Sequence, residues 1–511
     1  MNSSNQKEKN IDYEFIIIGA GISGIGAGIE LRKNNMNSFL ILERGEDLGG
    51  TWRDNIYPGI ACDIPSIAYS FSFELNPNWS SMNPPGSEIL EYIRHCATKY
   101  NISQHIKYSK NVDSIQFDAK DNTWITTLKD GTEYISRFVI SATGVFGDPK
   151  YPNIEGLDSF NGKIMHTARW DKNYDIKNKR VAIIGTGASS VQVVPSICHD
   201  VSHLTVFQRT PSWVIPRSHI EFTPKIRRAF NKFPFLQKIS RSFLELLMEL
   251  STLYSVNHQR LKMPSFSTEG GIQKKQEQSS RLKRHIARQV DNPEDVEKLT
   301  PNYGLGCKRP TFSDQYLKAF NQKNVSLVTS PIKSITQDGV MCDDGEEHKI
   351  DLLILSTGFV TQEPGSSPSF SVHGLNGKEL GTFWDKNRFQ AFNGVSVPDF
   401  PNFFLTSGPY SGGYNWFTML DTHVKYIIRC VKEVKKRNAT YIEVKSISND
   451  KYFELMQKKS SHSVFQSENC IKSNSYYRDK HGDFSLPAPF TPMWRSLRLK
   501  FGSLDSFYFK T

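Results

Sequence analysis

The sequence predicts an α/β fold with two dinucleotide-binding, Rossmann-like domains, the first discontinuous and the second carrying a helical insertion. The main observation is that a short apolar run followed by a glycine-rich turn occurs twice, at Gly19 and again at Gly185. A second observation is that the apolar segment FVISATG at 138–144 is nearly repeated as LLILSTGF at 352–359. With 511 residues, the chain is long enough for two or more domains.

The first nucleotide unit begins with the apolar run FIII, which is typical of a buried parallel strand. Gly19, Gly21 and Gly24 follow it in the spacing G-x-G-x-x-G, which lets the backbone turn sharply and approach a pyrophosphate at a helix N-terminus. A second apolar run then ends at Glu43, nineteen positions after Gly24. An acid at that distance can bind ribose hydroxyls, so this unit is predicted to bind a dinucleotide with a free 2′-hydroxyl, such as FAD.

The second nucleotide unit has Gly185, Thr186, Gly187 and Ser190 after the run VAII. Serine replaces the third glycine, where a small residue suffices for close helix–strand packing. Arg209 stands nineteen positions after Ser190, at the place that Glu43 has in the first unit. A cation there accommodates a 2′-phosphate, so Arg209 with the adjacent Thr210 predicts NADPH rather than NADH.

The net charge and the cysteine content limit the classes of binding partner and the cellular compartment that the sequence predicts. The net charge is +11, but lysines and arginines are scattered, which favours a solvated surface and no nucleic-acid partner. The seven cysteines include no C-x-x-C pair, and the N-terminus is polar. These features favour free thiols in a reducing cytoplasm. The sequence has no His/Cys cluster with metal-ligand spacing and no apolar run of 18 residues, so neither a metal nor a membrane span is predicted.

The order of the segments predicts the domain boundaries. The apolar strands and glycine turns mark the nucleotide domains, and helical spacing of Lys, Arg, Phe and Leu marks the insertion. The predicted parts are a flexible N-terminus (1–12), a first FAD segment (13–150), an NADP domain (151–345) with its helical insertion (218–300), and a second FAD segment with a C-terminal lid region (346–511). Within the insertion, the apolar 243–254 stretch is interpreted as core, with peripheral contact to a membrane or to a hydrophobic substrate as the alternatives.

Several polar residues are candidates for chemistry but have ordinary explanations when taken alone. His166 in FNGKIMHTARWD would usually be a satisfied core histidine. Asp63 could be a helix cap or a turn residue. The adjacent Lys308 and Arg309 would usually be part of a solvated surface. What distinguishes these residues is the pattern around them.

The spacing F-x-G-x-x-x-H-x-x-x-W-D resembles the fingerprint of the type I Baeyer–Villiger monooxygenases, with Phe160, Gly162, His166, Trp170 and Asp171 at the fixed positions. Other segments resemble the same family in the same order. They are the G-G-T-W and Y-P-G-x-x-x-D segments at 49–52 and 57–63, Lys-Arg at 308–309, and the segments PDFPNFF and SGP. The tail departs from the family, because Ser475-Tyr476-Tyr477 stands where S-W-Y is usual. In the family a mobile loop near this segment closes over NADP as a lid, so the resemblance implies a lid region here with contacts that differ from the usual ones.

The resemblance implies a role for each matching residue. Arg309 and Asp63 would be catalytic, with Asp63 orienting Arg309 beside the flavin, and Lys308 would reach the 2′-phosphate of NADPH. The implied cofactor-binding set comprises Gly19, Gly21, Gly24, Glu43, Gly50, Thr51, Trp52, Asp63, Tyr69, Val112, Gly185, Thr186, Gly187, Ser190, Gln192, Arg209, Thr210, Lys308 and Arg309.

The resemblance also implies the reaction. NADPH would reduce FAD, O2 would add to give a C4a-peroxyflavin, and a ketone would be converted to an ester or lactone, with sulfoxidation as a further activity. Three alternatives remain open: an N- or S-oxidising flavin monooxygenase, an uncoupled NADPH oxidase, and a flavin-binding protein without turnover. The substrate is expected to be a small hydrophobic ketone or sulfide.

Overall fold

The computed structural model describes residues 11–217, 220–256, 280–361, 366–413, 415–463, 470, 473 and 475–511. The larger of its two main sheets belongs to the first nucleotide unit. Strands Tyr13–Ile18, Phe39–Leu42 and Glu133–Ser141 pair in parallel at its centre. The full order is Ser371–His373, Val112–Asp118, Thr123–Leu128, Glu133–Ser141, Tyr13–Ile18, Phe39–Leu42 and Ile106–Lys107, with Phe403–Leu405 also paired to Glu133–Ser141.

The second main sheet has five parallel strands and belongs to the second nucleotide unit. Its order is Val325–Val328, His203–Phe207, Arg180–Ile184, Leu352–Leu355 and Lys163–His166. Both faces of each main sheet are covered by buried apolar side chains, as parallel strands require. The predicted fold class, with two dinucleotide-binding domains, is confirmed.

Smaller elements complete the described chain. The short pairs and hairpins are Val214–Ile215 with Thr311–Phe312, Tyr441–Val444 with Phe507–Lys510, and the antiparallel set Ile332–Ile335, Gly339–Cys342 and Glu347–Lys349. The helices include Ile22–Lys33, Thr51–Asp54, Gly86–Lys99, Ala188–Ile197, Pro224–Lys232, Pro234–Val256, Pro293–Leu299, Tyr316–Ala319, Leu380–Asn387, Trp416–Lys436, Ser446–Ser460 and Pro492–Phe501, and residues 280–289 are also helical.

The domain boundary predicted at 345 is too early. Strand Leu352–Leu355 lies inside the second sheet, between Arg180–Ile184 and Lys163–His166, so the second domain extends through this strand. The chain then returns to the first sheet with Ser371–His373 and Phe403–Leu405. Most of the N-terminus predicted to be flexible, 1–10, lies outside the described residues, as do 257–279 of the predicted insertion and part of the predicted lid region.

The apolar stretch of the insertion does not form core, contrary to the prediction. Within helix Pro234–Val256, Phe243 is 60% exposed and Leu250 is 53% exposed, whereas the polar Gln237 and Arg241 are buried. Arg241 donates to the Ser70 carbonyl oxygen at 2.8 Å, so the helix packs its polar face on the first domain. Helical periodicity correctly indicated an amphipathic helix, but it does not reveal which face turns inward. In the described part of the chain, no helix is long and apolar enough to cross a bilayer.

The prediction of free thiols is correct for five cysteines and wrong for two. Cys62, Cys96, Cys198, Cys342 and Cys430 are unbonded and buried. Cys307 and Cys470 form a disulfide, with Cα atoms 4.9 Å apart, across a sequence separation of 163. Such a pairing is invisible to cysteine spacing, because only the fold brings the two positions together. The disulfide joins the residue before Lys308 to the C-terminal tail.

Candidate active site

The first glycine turn is built as its spacing predicts. Gly19 has a φ of +105°, and a Cβ on Gly24 would lie 1.8 Å from the Gly19 carbonyl oxygen. Helix Ile22–Lys33 therefore starts in contact with the turn, and only glycine fits at position 24. Gly50, in the G-G-T-W segment, lies directly beside Gly21. The two segments, which both contribute residues to the predicted cofactor-binding set, are thus adjacent.

The second turn repeats this geometry with one substitution. Gly185 has a φ of +108°, close to that of Gly19. Ser190 is fully buried, and its hydroxyl donates to the Gly185 carbonyl oxygen at 2.6 Å. The serine therefore replaces the tight glycine contact of the first turn with a hydrogen bond. Gly187 faces open space, because a Cβ placed there would have no heavy atom within 4 Å.

Glu43 stands at the end of the second strand, beside the first glycine turn. Its carboxylate accepts from the Ala20 amide at 2.7 Å, from the Gly45 amide at 2.8 Å and from Arg53 at 2.8 Å. It is only 4% exposed. The carboxylate thus fixes the turn itself, and its predicted contact with ribose would be made in addition to these bonds.

Other members of the predicted cofactor-binding set surround the same region. Trp52 donates to the Tyr69 hydroxyl at 3.3 Å, and the Tyr69 ring packs edge-on against Phe417. Thr51 begins the short helix Thr51–Asp54. Val112 is buried at the start of its strand, close to the point where the Lys110 amide donates to the Glu43 carbonyl oxygen. The sequence prediction therefore selected residues that the fold brings together.

The second turn is flanked by two cations. Arg209 is exposed, and the Thr210 carbonyl oxygen accepts from the Thr186 hydroxyl at 2.9 Å. Burial, and then the nearby charge of Arg209, lower the pKa of Lys308 to about 8. Two cations that destabilise each other beside a glycine turn are suited to a shared anionic ligand.

Gln192 connects the two domains. Its side-chain oxygen accepts from the Tyr57 hydroxyl at 3.0 Å, and its nitrogen donates to the Ala61 carbonyl oxygen at 3.0 Å. The segment that carries Asp63 is thereby held on helix Ala188–Ile197. Both ends of the amide are engaged, so the structure gives Gln192 a bridging role, and its predicted cofactor contact stays a prediction.

Arg309 and Asp63 form a two-bond fork across the domains. Arg309 donates from Nε to Asp63 Oδ2 at 2.9 Å and from Nη2 to Oδ1 at 2.8 Å. Both side chains are about a quarter exposed, at 27% and 28%. Burial lowers the pKa of Arg309, but the negative charge of Asp63, the neighbouring Tyr476 and Tyr477 and the hydrogen bond to Asp63 together outweigh burial and raise this pKa well above the ordinary value. The result is a permanently charged guanidinium held in one orientation.

The fingerprint forms an edge strand and corner of the second sheet rather than part of this fork. A Cβ on Gly162 would lie 2.5 Å from the Phe160 ring, which explains the glycine. His166 is 1% exposed and accepts from the Ala168 amide at 3.1 Å, and burial lowers its pKa to about 4. Asp171 pairs with Lys163 at 2.9 Å, and Trp170 packs on the second-domain core. His166 is therefore neutral and structural in this conformation.

A row of aromatic rings, which sequence reasoning missed, links the fingerprint to Arg309. His166 contacts Phe359, which contacts Phe146 at a ring separation of 5.4 Å. Phe146 contacts Tyr476 at 6.2 Å. Tyr476 and Tyr477 lie close enough to Arg309 to affect its pKa. The S-Y-Y segment was noticed only as a departure from the family, whereas its aromatic character was the signal that it faces the site.

Comparisons with known proteins agree with this arrangement. A family model described as pyridine nucleotide-disulphide oxidoreductase matches residues 16–259. A Baeyer-Villiger monooxygenase from Pseudomonas aeruginosa is 35% identical over 95% of this chain and 89% of its own length. The FAD-binding monooxygenase ktnD from Aspergillus niger is 34% identical over 91% of this chain and 77% of its own length. A solved structure, an oxidized steroid monooxygenase bound to NADP, matches with a TM-score of 0.84 at 26% identity, covering 98% of this chain and 99% of that one.

The identity to these relatives extends over more than nine-tenths of this chain, so it includes both nucleotide units and the segment between them. The fold agrees with that of a solved monooxygenase over almost every residue. This chain therefore belongs to the Baeyer–Villiger monooxygenases, a family of FAD- and NADP-dependent flavoprotein oxidoreductases.

Proposed function

We propose that this enzyme uses NADPH and O2 to insert one oxygen atom beside a ketone carbonyl, giving an ester or lactone through a flavin C4a-peroxide, and that it also oxidises sulfides. The single observation that carries the proposal is the fork between Arg309 and Asp63. It fixes a permanent cation where the two nucleotide domains meet. Oxygen transfer to a carbonyl develops negative charge, and a fixed guanidinium stabilises such charge.

The chain's own residues fit both cofactors. Gly21 and Gly50 have no side chains, so a pyrophosphate could approach the backbone closely at the first turn. Arg209 and Lys308 supply the positive charge that a 2′-phosphate would neutralise beside the second turn. We infer that the first domain binds FAD and the second binds NADPH.

Each polar residue then has a defined task. Bound FAD and NADPH supply the electrons and the activation of O2. Arg309 stabilises negative charge that develops close to the flavin. It does so through Nη1, which makes no hydrogen bond in the described part of the chain. Asp63 keeps the guanidinium oriented, so little reorganisation is needed when charge develops. Lys308 and Arg209 hold the nicotinamide cofactor by its 2′-phosphate.

We propose a cytoplasmic location. The five buried thiols fit a reducing compartment, whereas the Cys307–Cys470 disulfide is the feature that argues against it. The proposal is tested by measuring the redox state of Cys307 and Cys470 in cells that are quenched with acid, which stops thiol–disulfide exchange. Full oxidation in the cell would contradict a cytoplasmic location.

The test of the activity is a panel of ketones and sulfides, with purified FAD-loaded enzyme, NADPH and isotopically labelled O2, followed by mass spectrometry. The expected products are esters or lactones that carry one labelled oxygen atom. Sulfoxides without any ester would instead indicate an N- or S-oxidising monooxygenase. Hydrogen peroxide as the only product would indicate an NADPH oxidase.

A further inference from the structure

We infer that two neighbouring helices, Pro234–Val256 and Pro492–Phe501, form a docking face for an anionic lipid surface. The first of these helices is oriented opposite to an ordinary surface helix. Its polar side chains face the protein: Gln237 is 2% exposed, Arg241 6% and Glu249 7%. Gln237 donates to the Asn76 carbonyl oxygen at 2.6 Å, and Thr418 donates to Glu245 at 3.3 Å.

The apolar side chains of the same helix face outward. Five of them recur every three or four residues, so they lie on one side of the helix. Their exposed fractions are 56% for Phe235, 62% for Ile239, 60% for Phe243, 54% for Leu246 and 53% for Leu250. Isolated exposed apolar residues are ordinary, but a continuous stripe over several turns marks an interaction site.

Helix Pro492–Phe501 extends this face. The Met493 amide donates to Glu249 Oε2 at 3.0 Å, which places the start of this helix against Pro234–Val256. Met493 is 62% exposed, Leu497 51% and Phe501 68%, again at helical spacing. The half-exposed Trp494 is an aromatic residue of the kind that prefers the boundary between apolar and aqueous phases.

Charge decides between the possible occupants. The exposed ionic groups of these helices and of the adjoining helix Pro224–Lys232 are cations, namely Lys225, Arg228, Lys232, Lys238 and Lys500. The acids of helix Pro234–Val256 are paired or buried, since Glu245, with a side chain 36% exposed, pairs with Arg241 and Glu249 is buried. A second copy of this face would bring like charges together, whereas anionic headgroups would be attracted. The occupant that fits is an anionic bilayer contacted from one side.

Vesicle flotation tests this inference, with FAD-loaded enzyme and vesicles of phosphatidylcholine alone or mixed with phosphatidylglycerol. The wild-type enzyme should float with the anionic vesicles, and added salt should reduce the bound fraction. The double variant Phe243→Glu/Leu250→Glu should lower the partition coefficient at least about ten-fold, because it places charge in the apolar contact. The matched control is Ile447→Glu, which changes an apolar residue of 62% exposure on a different helix.

FAD content confirms that each variant is folded. If the double variant loses FAD, the pair Lys238→Gln/Lys500→Gln carries the test, and it should weaken binding to the anionic vesicles. Absence of wild-type flotation, or equal flotation of the variants that remain folded, would overturn the inference. A wild-type dimer in sedimentation that the apolar variants dissociate, with no flotation, would assign the face to a second copy of this chain.

Discussion

At the scale of single residues, the site is organised by charges that the two domains present to each other. Arg309 is satisfied by Asp63, whereas Arg209 and Lys308 carry two positive charges close together. The ion pair keeps the guanidinium of Arg309 in a fixed orientation. The two neighbouring cations repel each other, and an anionic ligand bound between them would relieve that repulsion. These two arrangements give Arg309 and the Arg209–Lys308 pair separate tasks, and each can be tested separately.

Arg209→Ala should weaken NADPH binding by about ten- to a hundred-fold, because a charge-assisted contact to phosphate contributes about 1.5–3 kcal/mol. NADH binding should change little. Dissociation constants for both cofactors, measured by titration of the FAD-loaded enzyme, check this. Equal weakening of both would mean that Arg209 does not recognise the 2′-phosphate.

The affinity for NADPH should fall as the pH rises through about 8. Burial and Arg209 lower the pKa of Lys308 to about 8, so Lys308 carries its charge below that pH and loses it above. Above it, the dissociation constant for NADPH should increase on the order of ten-fold, while that for NADH stays flat. Lys308→Arg is the matched control, since arginine keeps its charge and should remove the pH dependence. A parallel pH profile for NADH would contradict this role.

At the scale of elements, the two glycine turns show how one geometry is reached by two sequences. Position 24 allows no side chain, whereas Ser190 fits because its hydroxyl bonds to the Gly185 carbonyl oxygen. Gly24→Ala should therefore give protein that lacks FAD, measured by flavin absorbance of the purified protein. Ser190→Gly is the counterpart and should keep its flavin. Normal flavin content in Gly24→Ala would show that the first turn is not the FAD site.

The same elements show what the sequence could reveal. Both turns were found from the sequence, because close backbone approach restricts residue type at fixed spacings, whereas the Lys-Arg pair was singled out only by its resemblance to the family pattern. The inward polar face of helix Pro234–Val256 was missed, because periodicity carries no information about direction. The aromatic contacts of Phe146 and Tyr476 were missed as well, since they join segments that are far apart in the chain.

At the scale of the whole molecule, the Cys307–Cys470 disulfide ties the residue next to Lys308 to the tail. A bond that closes a loop of this length contributes up to about 5 kcal/mol to the free energy of unfolding. Cys470→Ser should therefore lower the melting temperature by several degrees. Cys342→Ser, at a buried unbonded thiol, is the control. Alkylation of all seven cysteines in denaturant without reductant would show that the bond is absent.

The account as a whole depends on the two domains meeting at Arg309, and on a separation between flavin reduction and oxygen transfer. Arg309→Ala removes the guanidinium but leaves both glycine turns, Arg209 and Lys308 in place. Arg309→Lys should restore little, because a point charge does not reproduce the two-bond fork with Asp63. Arg288→Ala, at an exposed arginine elsewhere in the chain, is the matched control.

The most direct measurement is stopped-flow reduction of the flavin by NADPH in Arg309→Ala, beside the yield of ester from a ketone that the wild-type enzyme accepts. Ester formation should fall on the order of a hundred- to a thousand-fold, while flavin reduction continues and its electrons appear as hydrogen peroxide. Ester formation by Arg309→Ala at a rate close to wild type would contradict the central claim.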